Sequence, residues 1–375
     1  MARKTINPFV CQGYISPDYF CDRIEETEKI SSMLSNGQNI TLISPRRLGK
    51  TGLICHTFNR IKSKNKDAVC IYTDIFPTKN QSELARTLGE AVLNESMSKS
   101  RQLGKKALEF LGALRPVIGI DPLTNTPNIT LSVNPTTSEV TLRRIFDYMK
   151  KQPKEFFVAI DEFQQITYYP ETGTEALLRS HIQFAPNVHF IFSGSKQHLM
   201  SEMFISPQKP FYQSTELLNL TPLEEQTYYN FANHFFTARG GLLNNEVFHT
   251  LYTEFDGYTW YIQTVLNRLY ETYKKVDNIM QMKETLLSII ESKAAQYESL
   301  VQFLTNNQFS LLRAIANEEK VEQPLGKEFI KKYNLTSTSS VQTSLDMLTE
   351  KELVYRQTDG YMVYDQFLAH WLRRI

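Results

Sequence analysis

Up to about residue 215, short apolar runs alternate with segments of helical spacing. The runs are Ile40-Thr41-Leu42-Ile43, Val69-Cys70-Ile71-Tyr72-Thr73-Asp74, Phe156-Phe157-Val158-Ala159-Ile160 and Val188-His189-Phe190-Ile191-Phe192. Strands buried on both faces read as continuous apolar sequence, so these predict a parallel sheet. Leu53, Ile54, Phe58 and Ile61 fall at helical spacing after the first run, and Gln81 to Leu93 reads as the helix after the second. Strands alternating with helices define an α/β domain. Between Arg115 and Val133, apolar runs flank the turn-rich block Asp121 to Asn128, which predicts a β-hairpin insertion decorating the sheet edge.

A loop around Ser206-Pro207-Gln208-Lys209-Pro210 changes the pattern, and from Thr221 the chain is almost entirely helical in spacing. Tyr228, Tyr229, Phe231, Phe235, Phe236, Tyr258, Trp260 and Tyr261 recur at helical intervals, as core residues do. Asp256-Gly257 marks a helix-ending turn and a candidate hinge. In the last stretch, helices around Phe309 to Ile315, Phe329-Ile330 and Ser339 to Leu348 precede two short strands, Leu353-Val354-Tyr355 and Tyr361-Met362-Val363-Tyr364, about Thr358-Asp359-Gly360. Three helices and a two-stranded wing make a winged helix, which Trp371-Leu372-Arg373-Arg374-Ile375 would cap. The expected organisation is a sheet domain over 1–215, a helical subdomain over 216–298 and a winged helix over 299–375.

The first apolar run feeds Ser44-Pro45-Arg46-Arg47-Leu48-Gly49-Lys50-Thr51-Gly52. A strand, a loop ending in Gly-Lys-Thr and a helix form the arrangement in which backbone N–H groups cradle phosphates. The pattern assigns Lys50 to the β/γ oxygens and the Thr51 hydroxyl to Mg²⁺. Ser44 stands where the motif places its first Gly; that position lies at the strand end, so a small Ser is expected to be tolerated at some cost in affinity. Two other Gly-Lys pairs, Gly104-Lys105 and Gly326-Lys327, lack both the following hydroxyl and the preceding strand.

About a hundred residues on, the buried run ends in Asp161-Glu162. Functional groups of parallel sheets gather at the carboxyl ends of strands. Asp161 is expected to bind Mg²⁺ through water, and Glu162 to orient or deprotonate an attacking water. The next run ends in Ser193-Gly194-Ser195, whose two hydroxyls are candidate sensors of a γ-phosphate. Arg179, on the intervening helix, is expected to serve structure or an interface.

The order Asn7-Pro8-Phe9, Phe20-Cys21-Asp22-Arg23 with Glu25, the loop from Ser44 to Thr51, and Ile160-Asp161-Glu162-Phe163-Gln164 resembles the archaeal-type ATPases of the AAA-like and STAND group of P-loop NTPases. The resemblance implies that Phe20 and Arg23 help cradle adenine, that ATP or ADP and Mg²⁺ are the cofactors, and that a helical lid and a winged helix follow. Gly257-Tyr258-Thr259-Trp260-Tyr261 stands where such lids carry Gly-x-Pro.

The chain has 375 residues, 41% of them hydrophobic, enough for two or three cores. Lys+Arg 41 against Asp+Glu 40 leaves a formal charge of +1, so no global field draws it to nucleic acid or an anionic membrane. Residues 300 to 375 carry equal numbers of basic and acidic side chains, and the third winged-helix helix offers Ser340, Gln342 and Thr343 without Arg or Lys. Phosphate contacts supply much of DNA affinity, so a protein partner or self-association is expected ahead of DNA. Cys11, Cys21, Cys55 and Cys70 show no metal-site spacing and read as reduced thiols. The N-terminus lacks the apolar core of a signal peptide, and no apolar run is long enough to span a bilayer, which predicts a cytoplasmic protein without membrane contact. The expected function is that of a Mg²⁺-dependent ATPase working as a switch or motor. The alternatives are a nucleotide-binding regulator or scaffold with little hydrolysis, and a DNA-associated ATPase.

Overall fold

Every residue of Ile40–Ile43 (β1), Phe156–Asp161 (β5) and Val188–Gly194 (β6) is buried, as continuous apolar strands in the middle of a sheet must be. A computed structural model describes residues 7–99, 101–111, 116–120, 127–131, 133, 137–357 and 360–375. The sheet has five strands in the order β2-β5-β6-β1-β7, with β2 Val69–Asp74 and β7 Glu216–Asn219 at its edges and every pairing parallel. Helix α1 Ile24–Ser35 precedes β1; parallel neighbours require crossovers, and these supply the helices α2 Lys50–Lys64, α3 Gln81–Lys99, α4 Arg101–Leu111, α5 Ser138–Lys150, α6 Thr174–Ile182 and α7 Gln197–Ile205. On α2 the buried Leu53, Ile54, Phe58 and Ile61 are those the spacing marked. Aromatic contacts tie the sheet to its cover: Phe192 packs on Phe163, Phe204 and Phe211.

Strands β3 Pro116–Ile120 and β4 Pro127–Leu131 pair antiparallel, giving the hairpin expected near 115–133; its turn, residues 121–126, lies outside the described residues, as does the N-terminal segment 1–6. Helix α3 runs to Lys99, past the expected Leu93. Strand β7 continues the sheet beyond residue 215: Ile40 pairs with Glu216 and Ile43 with Asn219. Its short, mostly exposed sequence lacks the apolar signature of an interior strand, so its hydrogen bonding to β1 is invisible to periodicity.

The chain divides into two units, Val10–Tyr228 and a second made of Tyr229–Ile375 with Asn7, Pro8 and Phe9. Helix α8 Glu225–Ala238 leads from one to the other. In the second unit, β8 Leu242–Leu243, α9 Asn245–Glu254, α10 Thr259–Thr272, β9 Lys275–Val276 and α11 Ile279–Val301 form the mostly helical region that precedes the winged helix. Helix α11 runs through residues 298 and 299 without a break. Asn278 and Thr305 each make a reciprocal capping box, with Gln281 and Gln308, and so fix the starts of α11 and the helix that follows it. Phe9 is fully buried against Phe235, Phe236 and Tyr270, and its carbonyl accepts from Asn267 Nδ2 at 2.7 Å.

Helices α12 Asn306–Glu318, α13 Lys327–Lys332 and α14 Thr338–Glu350 precede the antiparallel strands β10 Val354–Gln357 and β11 Gly360–Val363, with α15 Gln366–Leu372 closing the winged helix. A bridge from Val321 to Tyr361 adds a third short rung to the wing. Thr358 and Asp359 of the expected turn lie outside the described residues. Of the aromatics marked by helical spacing, Tyr228, Phe236, Tyr258 and Tyr261 are core, whereas Tyr229, Phe231, Phe235 and Trp260 are half-buried; Tyr261 stacks on Phe255 and meets Phe367 edge-on. Among the described residues, no helix is long and apolar enough to cross a membrane.

Candidate functional site

The site lies at the carboxyl ends of β1, β5 and β6 and is joined by β2. Strand β1 ends in Ser44, which is fully buried; its hydroxyl donates to the Pro45 carbonyl at 2.8 Å. The loop turns through Arg47 and Gly49, both at positive φ (70° and 96°), and Gly49 caps the N-terminus of α2. Left-handed backbone is strained for side-chain-bearing residues, so Gly at 49 suits the turn. Lys50, the first residue of α2, folds back over the loop and donates from Nζ to the carbonyls of Ser44 (3.0 Å) and Pro45 (3.4 Å). Burial pulls its pKa below the usual ammonium range, opposed by the nearby Asp161 and Glu162 carboxylates.

Asp161 is the hub. Its Oδ2 accepts from the Thr51 hydroxyl at 3.0 Å and from the Tyr72 hydroxyl at 2.7 Å, while Oδ1 accepts from the Ser193 hydroxyl at 2.6 Å and the Glu162 amide at 3.0 Å. Ser193 has no exposed surface. Parallel register brings these groups together: Asp74 lies opposite Asp161, and Ile160 opposite Phe192, which precedes Ser193.

Glu162 follows at φ 54° and caps a short 3₁₀ turn, Phe163–Tyr168. Its Oε2 accepts from Gln164 Nε2 at 2.5 Å and from the Ser195 hydroxyl at 2.8 Å. Arg46 Nε donates to Ser195 Oγ at 3.2 Å, and its guanidinium lies over the Phe76 ring. A polar chain thus runs from the loop through Ser195 to Glu162. Gln164 approaches so closely that a Cβ on Gly194 would stand 2.1 Å from its Oε1.

Phe20 stacks on His56 at 4.4 Å, and Tyr14 OH bonds His56 Nδ1 at 3.1 Å. Gly52 lies beneath the Phe20 ring. Burial and Arg60 hold the His56 pKa below its ordinary value. Arg23 caps α1; its Nη1 pairs with Glu26 at 2.7 Å, and its buried Nη2 has no hydrogen-bond partner among the described residues. Arg179 sits half-buried on α6. All four cysteines are free, and burial pushes Cys21 and Cys70 up to about 12, in agreement with reduced, inert thiols.

Sequence reading missed Tyr72 and left Gln164 without a role. Tyr72 carries the polar tip in an otherwise apolar run, two residues before Asp74; a period of two puts both on one face of β2. That was the available signal, although it does not name the neighbouring strand.

A parallel sheet bearing a Gly-Lys-Thr loop and a strand-end Asp-Glu pair, followed by a winged helix, has the P-loop ATPase fold. The model of the family described as "ATPase domain predominantly from Archaea" matches residues 20–265, and one described as "Probable winged helix domain" matches residues 295–374. The chain therefore belongs to the archaeal-type ATPase family. Among solved structures it is similar to a Walker-type ATPase of Pyrococcus abyssi, with 19% identity, a TM-score of 0.67, and 98% of this chain and 99% of that one covered. It is also similar to the Aeropyrum pernix ORC1 protein in complex with DNA, at 12% identity and a TM-score of 0.54 over 98% of this chain and 96% of that one. The Aeropyrum pernix ORC2 protein, in ADPNP–ADP complexes, matches at 16% identity and a TM-score of 0.50 over 99% and 98%. No curated protein matches the chain in sequence.

Proposed function

We propose that the protein binds ATP with Mg²⁺ and hydrolyses it slowly, using nucleotide state as a switch. The observation that carries this reading is the direct link between the loop and the strand-end acids: Thr51 to Asp161, and Arg46 through Ser195 to Glu162. Loop N–H groups and Lys50 bind the phosphates, with Lys50 exchanging the Ser44 and Pro45 carbonyls for phosphate oxygens. Phe20, Gly52 and Arg23 serve the nucleoside side, and the orphaned buried Arg23 Nη2 supports a polar partner there.

The donor set suits a hard divalent cation. Thr51 and Asp161 offer hydroxyl and carboxylate oxygens, and a cation shared with phosphates needs only one or two protein ligands. When bound, Mg²⁺ supplies charge neutralisation at the β- and γ-phosphates. Glu162 positions the attacking water and accepts its proton. Of the two sensor candidates, Ser195 is the better placed, being partly exposed between Arg46 and Glu162, whereas the buried Ser193 serves Asp161.

A second reading, a nucleotide-binding regulator with little hydrolysis, draws support from the two donors already on Glu162 Oε2. Exposed Gln342, Thr343, Asp346 and Met347 on α14, without Lys or Arg, favour a protein surface or a second copy of the chain over DNA as the partner. The test is nucleotide binding and phosphate release with Mg²⁺ for wild type, Lys50→Ala and Glu162→Gln. Turnover by wild type, lost binding in Lys50→Ala and binding without turnover in Glu162→Gln are expected. Wild-type turnover no higher than that of Glu162→Gln would favour the regulator, and no binding at all would overturn both readings.

A further inference from the structure

The Asp161 carboxylate receives four donors, which differ in where they come from. Tyr72, Ser193 and the Glu162 amide belong to the sheet or its immediate end; Thr51 alone comes from the loop and α2. Oδ1 is held twice by the sheet. Among the described residues, Oδ2 is held by Thr51 and Tyr72. Under the function proposed above, the Thr51 hydroxyl offers an oxygen lone pair to the cation while its O–H still donates to Oδ2. Tyr72 is the donor that holds that oxygen from the sheet, independently of the loop. Its ring is half-buried on the edge strand β2, where Val69, Cys70 and Ile71 are buried and anchor the strand, and register sets Tyr72 opposite Ala159, two residues before Asp161.

We propose that Tyr72 is a positioning residue for the cation site: its hydroxyl, 2.7 Å from Asp161 Oδ2, anchors the carboxylate to the sheet whatever the position of the loop, and so sets the affinity for the divalent ion. Outer-shell hydrogen bonds at a metal site have this effect in general, and their loss lowers metal affinity about 10- to 100-fold. The group served is Mg²⁺ with a nucleoside triphosphate.

The test compares wild type with Tyr72→Phe, which keeps the ring and removes only the donor. Binding of a fluorescent ATP analogue is titrated in EDTA and then against Mg²⁺ at fixed nucleotide, with thermal unfolding as a check on the fold. Affinity in EDTA is expected to stay within about twofold of wild type, while the Mg²⁺ concentration at half-saturation rises about tenfold or more. An unchanged Mg²⁺ midpoint, or an equal loss of affinity in both media with a lowered unfolding midpoint, would reduce Tyr72 to a packing residue and overturn the proposal. Wild type binding no analogue in either medium would instead overturn the reading of the whole site, and the proposal with it.

Discussion

The Ser195 hydroxyl donates to Glu162 Oε2 at 2.8 Å while its oxygen accepts from Arg46 Nε at 3.2 Å. One side chain therefore connects the loop that would hold phosphate to the acid that would hold water. Ser195→Ala should leave nucleotide affinity within about threefold and lower turnover by about 10²-fold, the scale on which a single preorganised donor acts. Steady-state phosphate release over a range of ATP concentrations separates the two effects. Equal losses in kcat and affinity would instead make Ser195 a binding residue.

Gly194 owes its identity to crowding. A methyl group there would meet Gln164 Oε1 at 2.1 Å and Met200 Sδ at 2.6 Å, all in the buried core. Gly194→Ala should cost about 1–3 kcal/mol as overpacking does. It should also loosen the Gln164 bond to Glu162. Urea unfolding gives the first effect and turnover at saturating ATP the second; a variant as stable as wild type would show that Gln164 can step aside.

His370 on α15 lies 3.4 Å from Glu254 Oε1, a contact that favours the charged imidazole, yet burial, followed by Arg373, holds its pKa down at about 4. The unfolded chain takes this proton near pH 6.5 and the folded chain only near pH 4. Between those values the unfolded state binds more protons, so this stability is full above about pH 6.5 and is lost as the pH falls towards 4. The contribution is at most about 3 kcal/mol. Burial raises the Glu254 pKa, which acts with the opposite sign and offsets part of it. Thermal unfolding from pH 7 to 4.5 should show a falling midpoint, and His370→Gln should flatten that slope.

Phe9 is fully buried among three aromatic rings. Phe9→Ala should destabilise the second unit by about 3–5 kcal/mol, the usual cost of emptying a buried Phe site. A differential melt that loses cooperativity, with the nucleotide-binding unit's transition unmoved, is the expected record.

Much of this was legible in sequence because burial writes itself in composition. Ile40 to Ile43 and Phe156 to Ile160 read as apolar runs since helices cover both faces, and Gly49-Lys50-Thr51 and Asp161-Glu162 follow at their ends. Strand β7 was hidden because an exposed edge need not be apolar, and β8 and β9 because two residues hold no period. Tyr72 was hidden for a different reason. Its partner is fixed by the register of β2 against β5, which no local window contains. The separate duties of Ser193 and Ser195 likewise follow from strand alternation: residues two apart share a face, but only Ser195 has passed the end of β6 and gained access to Arg46.

The division of the chain has a bearing on its synthesis. Phe9 precedes the nucleotide-binding sheet along the chain, yet Phe235, Phe236 and Tyr270, which bury it, follow only after the whole sheet has emerged. Until then an aromatic side chain waits without its pocket, and the second unit can close only after the first has had time to fold. An order of assembly is thereby written into the connectivity: the nucleotide-binding unit can mature alone, and the unit carrying the winged helix is completed after it, around a residue that precedes them both in the chain.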